Sequence, residues 1–175
     1  FGCSDTAQKE ITIHPQPTDS FTVESVCLGD SIELTNLSSS SDGSITNYWN
    51  VGTGFAPGDS IKTHLFNQIG TYTIHHKSVS KFGCADSSSQ QASIFYVDEP
   101  SIAHTGNCVN ELILFNATDA EPDSIVSYLW VIATDTIRTP TTSYQFGAPG
   151  TYTVSLQTTT NNGCTSDTTS VITID

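Results

Sequence analysis

The sequence predicts an all-β chain of tandem antiparallel β-sandwiches, with one further strand ahead of them. Three observations carry this. Apolar residues come in short runs that alternate with polar ones, as at Tyr72 and Ile74 or Tyr152 and Val154, which is the period of a half-buried strand. Ser and Thr are abundant and Met is absent, a composition of exposed sheet instead of helix. The chain also superimposes on itself when slid by 80 or 81 positions, and an internal period outranks other sequence signals.

Residues 1–13 come first. Phe1-Gly2-Cys3-Ser4-Asp5 leads to Ile13 as Phe82-Gly83-Cys84-Ala85-Asp86 leads to Ile94 and as Asn162-Gly163-Cys164 leads to Ile174. They are expected to be the closing strand of an upstream sandwich, packed into another domain or chain. A strand with one apolar face and a full set of unpaired backbone groups does not remain in water. Pro15 and Pro17, then Pro100, follow closing strands and cannot continue a ladder, so they mark the joints. The expected domains are 14–97 and 98–175, joined by linkers short enough to favour a stiff rod.

Within a unit, residues 20–24, 31–36 and 44–51 read as the first three strands. A variable middle, a core strand at 70–74 and the closing strand follow, and this spacing indicates an immunoglobulin-like sandwich with Greek-key connections. The repeat sets Cys27 against Cys108, Cys84 against Cys164, Tyr48 against Tyr128, and 70–74 against 150–154. Trp49, Tyr72, Trp130 and Tyr152 are the expected buried rings. One residue is missing at Trp49 relative to the second repeat, and a bulge there would compensate.

The formal charge is −13, and the basic residues Lys9, Lys62, Lys77, Lys81 and Arg138 are scattered. Nucleic acid is excluded as a partner, because phosphate binding needs a clustered basic patch. Nothing approaches the roughly 18 apolar residues of a membrane span, and the first residues lack the plan of a secretory signal. An acidic surface attracts divalent cations such as calcium, but a solvated face is the plainer reading and no cofactor is expected.

No nucleophile motif, zinc spacing or phosphate loop is present, so no catalytic residue is assigned and the chain is not expected to be an enzyme. His75 and His76 are adjacent strand residues pointing to opposite faces, so they cannot chelate one ion. His76 aligns with Leu156, which makes it a core or half-buried histidine. The cysteines imply an oxidising compartment. Within one sandwich the first-turn and last-hairpin cysteines lie at opposite ends, roughly 26 Å apart, too far for a disulfide. Cys27 with Cys164, across the joint, is the favoured pair, and Cys27 with Cys84 plus Cys108 with Cys164 is the alternative.

The run Tyr48-Trp49-Asn50-Val51-Gly52-Thr53-Gly54, then His64-Leu65-Phe66 and 70–74, resembles the PKD domain family, as do Ile125, Tyr128, Trp130, Tyr144, Phe146 and 150–154. The cysteine-bearing form, with Val26-Cys27-Leu28-Gly29-Asp30 early and Gly-Cys late, is similar to tandem PKD repeats of giant surface adhesins in gliding bacteria that use type IX secretion. The acidic turn of the family is reduced here to Asn50 and Thr53, and to Val131 and Thr134, so a calcium role for it is not expected. The resemblance implies an extracellular, cell-surface location and partners that are neighbouring repeats or identical chains in a head-to-tail filament. It allows glycans or cell surfaces as targets at a distal tip. It also implies O-linked sugars on Asp-Ser or Asp-Thr sites, which selects Thr6, Ser31, Ser60, Ser124, Thr136 and Thr168. The expected function is a stiff, disulfide-stapled stalk or filament segment. The alternative is a carbohydrate- or protein-binding accessory module of a secreted hydrolase, for which Tyr96 and Phe55 are the available aromatics.

Overall fold

The computed structural model describes residues 1–118 and 125–175. The chain divides into two compact units, Phe1–Ile94 and Phe95–Asp175. Each is an antiparallel β-sandwich, as the alternation of its sequence requires, and no helix occurs among the described residues.

Unit 1 contains β1 (Phe21–Val23), β2 (Val26–Cys27), β3 (Ser31–Asn36), β4 (Ile45–Asn50), β5 (Ala56–Gly58), β6 (Ile61–Leu65), β7 (Gly70–Ser80) and β8 (Ala85–Phe95). One sheet has the order β1-β3-β6 and the other β2-β8-β7-β4-β5. The chain changes sheets between Val23 and Val26. In β3 the alternation is direct: Ile32 and Leu34 are fully buried while Ser31 and Glu33 face solvent. With Phe21, Trp49, Phe66, Ile74, Ala92 and Ile94 they form the apolar core.

Unit 2 contains β9 (Ser101–Thr105), β10 (Leu112–Thr118), β11 (Ile125–Ile132), β12 (Asp135–Ile137), β13 (Thr141–Gln145), β14 (Gly150–Thr160) and β15 (Thr165–Ile174). Its sheets run β13-β10-β9 and β12-β11-β14-β15. The core is built at the same places, from Ile113, Phe115, Trp130, Ile132, Phe146, Val154, Leu156, Ile172 and Ile174.

Trp49 and Trp130 are fully buried. Each indole donates its N–H to a backbone carbonyl of the strand connection beside it, Asp59 at 3.1 Å and Thr139 at 2.8 Å. Tyr72 and Tyr152 differ from the expectation, being only half-buried. Each phenol reaches the surface and donates to a carbonyl four residues back, Gln68 at 3.0 Å and Ala148 at 2.9 Å. A buried phenol needs a partner, and this tyrosine corner supplies one at the sandwich edge.

The bulge lies in the other repeat. Strand β4 pairs with β7 without interruption from Ile45 to Asn50, whereas the β11–β14 register shifts between Ile125 and Ser127 and leaves Val126 65% exposed. The extra residue of the second repeat is thus looped out. This also corrects the alignment of the aromatics. Trp49 lies opposite His76 and Trp130 opposite Leu156, so Tyr48 corresponds to Leu129 and Tyr128 to the buried Asn47.

Candidate functional site

The two ends of each sandwich hold its cysteines. In unit 1, Cys27 follows Ser25, whose hydroxyl accepts the Ser93 N–H at 2.9 Å, while Cys84 sits in the hairpin before Ala85 at the other end of β8. That strand is 11 residues long, about 33 Å at the usual rise. Cys84 lies against residues that lead into the unit: its thiol approaches the His14 carbonyl at 3.7 Å, and His14 stacks on Phe82 at 3.5 Å. In unit 2, Cys108 is flanked by backbone hydrogen bonds from Asp175 N–H to Asn107 and from Val109 N–H to Asp175, at the finish of β15, whereas Cys164 precedes its start. A disulfide tolerates Cα atoms only roughly 4.4 to 6.8 Å apart, so the length of the closing strand separates the two cysteines within each unit. Cys27 and Cys164 are disulfide-bonded, and Cys3, Cys84 and Cys108 are free.

The core of each unit is apolar at one end and polar at the other. The inward positions of β7 run Ile74, His76, Ser78, Ser80, and those of β14 run Val154, Leu156, Thr158, Thr160, all buried. An aspartate serves each polar half. In unit 1 it is Asp19, whose carboxylate lies 2.8 Å from His76 Nδ1 and accepts hydroxyl hydrogen bonds from Ser88 at 2.6 Å and Ser38 at 3.1 Å. In unit 2, Thr158 donates to the buried Asp98 at 3.2 Å. Neither aspartate lies in a motif; the only sequence signal for them is the change from Ile and Val to Ser and Thr along one strand face.

His76 is fully buried, with its ring 4.0 Å from that of Trp49. Burial pushes its pKa below the ordinary 6.5, against the pull of Asp19. For Asp19, burial works to raise the carboxyl. The Ser88 hydrogen bond, the nearby Ser78 hydroxyl, the His76 charge and the Ser38 hydroxyl outweigh it and hold the pKa below 3.8. The pair is therefore a neutral imidazole beside a carboxylate. His75, the next residue, faces solvent. Among the described residues no three His, Cys, Asp or Glu side chains gather in a metal-holding arrangement.

The acceptor motifs among the described residues are dispersed along the chain and do not form one cluster. Thr6, Ser31, Ser60 and Thr136 are exposed, Thr168 is half-buried on the inner side of β15, and Ser124 lies outside the described residues. Ser31 borders an open groove of about 420 Å³, with Val23, Glu24, Val26 and Glu33 also on its wall. The groove exists because the chain leaves β3 at Val23 to pair with the other sheet. Of the aromatics, Phe55 is 50% exposed and meets His75 edge-on with centroids 6.4 Å apart, while Tyr96 is half-buried.

Comparison with known families adds one match. Residues 100–173 match the PKD domain. No curated protein matches the chain. Among solved structures, the PKD1 domain of the metalloprotease PrtV of Vibrio cholerae is similar at 21% identity, covering 45% of this chain and 98% of that one, with a TM-score of 0.41. The PKD1 domain of Vibrio anguillarum Epp is similar at 21% identity, over 45% of this chain and 94% of that one, with a TM-score of 0.41. The fibronectin(III)-like modules of Clostridium thermocellum CbhA resemble 89% of this chain over 93% of theirs, at 15% identity and a TM-score of 0.50. That last likeness is one of fold. The PKD match and the disulfide fit an extracellular module, since such bonds persist in oxidising compartments. No helix among the described residues is long and apolar enough to cross a membrane.

Proposed function

We propose that the chain is a structural segment of a secreted cell-surface adhesin, a stalk or filament in which PKD-like repeats act as spacers and disulfides staple the joints. In this reading Cys27 is bonded to Cys164 across the joint, residues 14–97 and 98–175 are the two repeats, and residues 1–13 close a preceding one. The observation that carries it is the placement of Cys27 and Cys84, and of Cys108 and Cys164, at opposite ends of their sandwiches, with one of each two bonded and the other free. Cys84 and Cys108 are then available to the repeats on either side, or to identical chains, in a head-to-tail filament. The role is mechanical, not catalytic: a staple over a loop of well over a hundred residues stabilises by about 5 kcal/mol in the chain-entropy account and opposes bending at Pro100.

The same reading makes the protein a glycoprotein at Thr6, Ser31, Ser60, Ser124, Thr136 and Thr168 when taken from its native cell. Intact mass of native material above the bare polypeptide mass supports this, and an equal mass refutes it. The spacer itself is tested by small-angle scattering of oxidised and reduced chain. Reduction should broaden the distribution of end-to-end distances. An unchanged distribution would remove the staple from the mechanism. The rival reading, a carbohydrate- or protein-binding accessory module, draws on exposed Phe55 beside His75; saturable binding of an oligosaccharide, lost in Phe55→Ala, would favour it instead.

A further inference from the structure

Residues 1–13 take part in no strand ladder, and Ile11 and Ile13 are 80% and 89% exposed. The same positions of the closing strands are core. Aligned on the Gly-Cys pair, Ile11 and Ile13 fall on Ala92 and Ile94 in β8, which are 1% and 2% exposed, and on Ile172 and Ile174 in β15, each 2% exposed. A segment whose two apolar side chains are buried in both of its internal equivalents, and are bare where it stands alone, is a strand lacking its sheet.

We infer that residues 4–13 are a closing strand that docks antiparallel on a PKD-like sandwich lacking its own last strand, with Ile11 and Ile13 entering that sandwich's core. This rests on reading residues 1–13 as part of a repeat array, and it specifies the surface, register and partner. The register is fixed by the two ladders already present. Ile94 pairs with Gly70 and Ala92 with Tyr72; Ile174 pairs with Gly150 and Ile172 with Tyr152. The acceptor therefore presents a glycine opposite Ile13 and a corner tyrosine opposite Ile11.

Both glycines carry positive φ, 146° and 151°, a region that favours glycine. Asp5, Ala7 and Lys9 take the inner places of Asp86, Ser88 and Gln90. The Gln90 amide donates to the Phe21 carbonyl of the first strand, and Lys9 brings an N–H donor to that place. Ser4, Thr6, Gln8, Glu10 and Thr12 face outward, which suits their polarity and leaves Thr6 accessible. Units 1 and 2 already hold β8 and β15 in this position, so the acceptor is another sandwich of the same kind.

The test gives the chain such an acceptor. A variant ending after Cys164 keeps the half-cystine and removes β15. Residues 4–13 of a second copy should fill the gap, so light scattering should show the mass rising from monomer to multiples, with those residues protected from amide exchange. Ile11→Asp with Ile13→Asp should return it to monomer. A second variant, with residues 165–174 replaced by the sequence of residues 4–13, should retain the folded Trp130 indole resonance. Loss of that resonance would overturn the inference. So would a monomeric shortened chain with residues 4–13 unprotected while the second variant folds. Neither result bears on scattering of the reduced chain, so the spacer reading is judged separately.

Discussion

Replacing His76 by leucine, the residue unit 2 carries as Leu156, changes one titrating group inside an otherwise matched core. At neutral pH two effects oppose each other. The contact with the Asp19 carboxylate is lost, at most about 1.5–3 kcal/mol, the worth of a hydrogen bond to a charged group, although Asp19 keeps its bonds from Ser88 and Ser38. A fully buried leucine beside Trp49 and Phe21 returns about 1.5–3 kcal/mol. His76→Leu should therefore leave the stability of unit 1 within about 1 kcal/mol of the parent at pH 7.

Acid separates the two proteins. The folded pKa of His76 lies below 6.5, so below pH 6.5 the unfolded chain binds a proton that the folded unit resists. The histidine's share of stability is present above that pH and is lost as pH falls. Asp19, held below 3.8, adds a second loss only below that value. Between pH 6.5 and about pH 5 the variant should thus be the flatter of the two and become the more stable. Each unit has one tryptophan, so urea unfolding followed at the two indole N–H resonances reports the units separately. If the variant lost stability below pH 6.5 in parallel with the parent, His76 would not be the group responsible.

Tyr72→Phe and Tyr152→Phe each remove one corner hydrogen bond to a carbonyl that water can reach, so each should cost its own unit about 0.5–1.5 kcal/mol in urea unfolding and leave the other unchanged. Gly58→Ala should cost unit 1 about 1–3 kcal/mol by overpacking, because the added Cβ would lie 2.7 Å from Cδ1 of the buried Trp49 ring. A thermal midpoint equal to the parent's would mean that the indole can shift.

The repeat made most of the fold legible. Gly70 to Ile74 and Gly150 to Val154 could be read as core strands because alternation and an internal copy agreed, and Ile32, Leu34, Ile113 and Phe115 follow the same parity. Two misreadings came from treating local resemblance as register. Tyr48 and Tyr128 look equivalent in sequence, but the bulge at Val126 moves Tyr128 onto the place of Asn47. Tyr72 and Tyr152 are on core strands, yet a phenol at a sandwich edge turns its hydroxyl outward to find a carbonyl. The Asp19 and His76 pair stayed hidden because its members are far apart in sequence.

The stapled-spacer account is tested most directly by peptide mapping of the unreduced protein after alkylation of its free thiols. It predicts one disulfide-linked species joining the Cys27 and Cys164 peptides, with Cys3, Cys84 and Cys108 alkylated, and it predicts that the species disappears on reduction. A Cys27 peptide linked to a Cys84 peptide of the same chain, or Cys108 linked to Cys164, would contradict it, because either bond would require the two ends of one sandwich to meet.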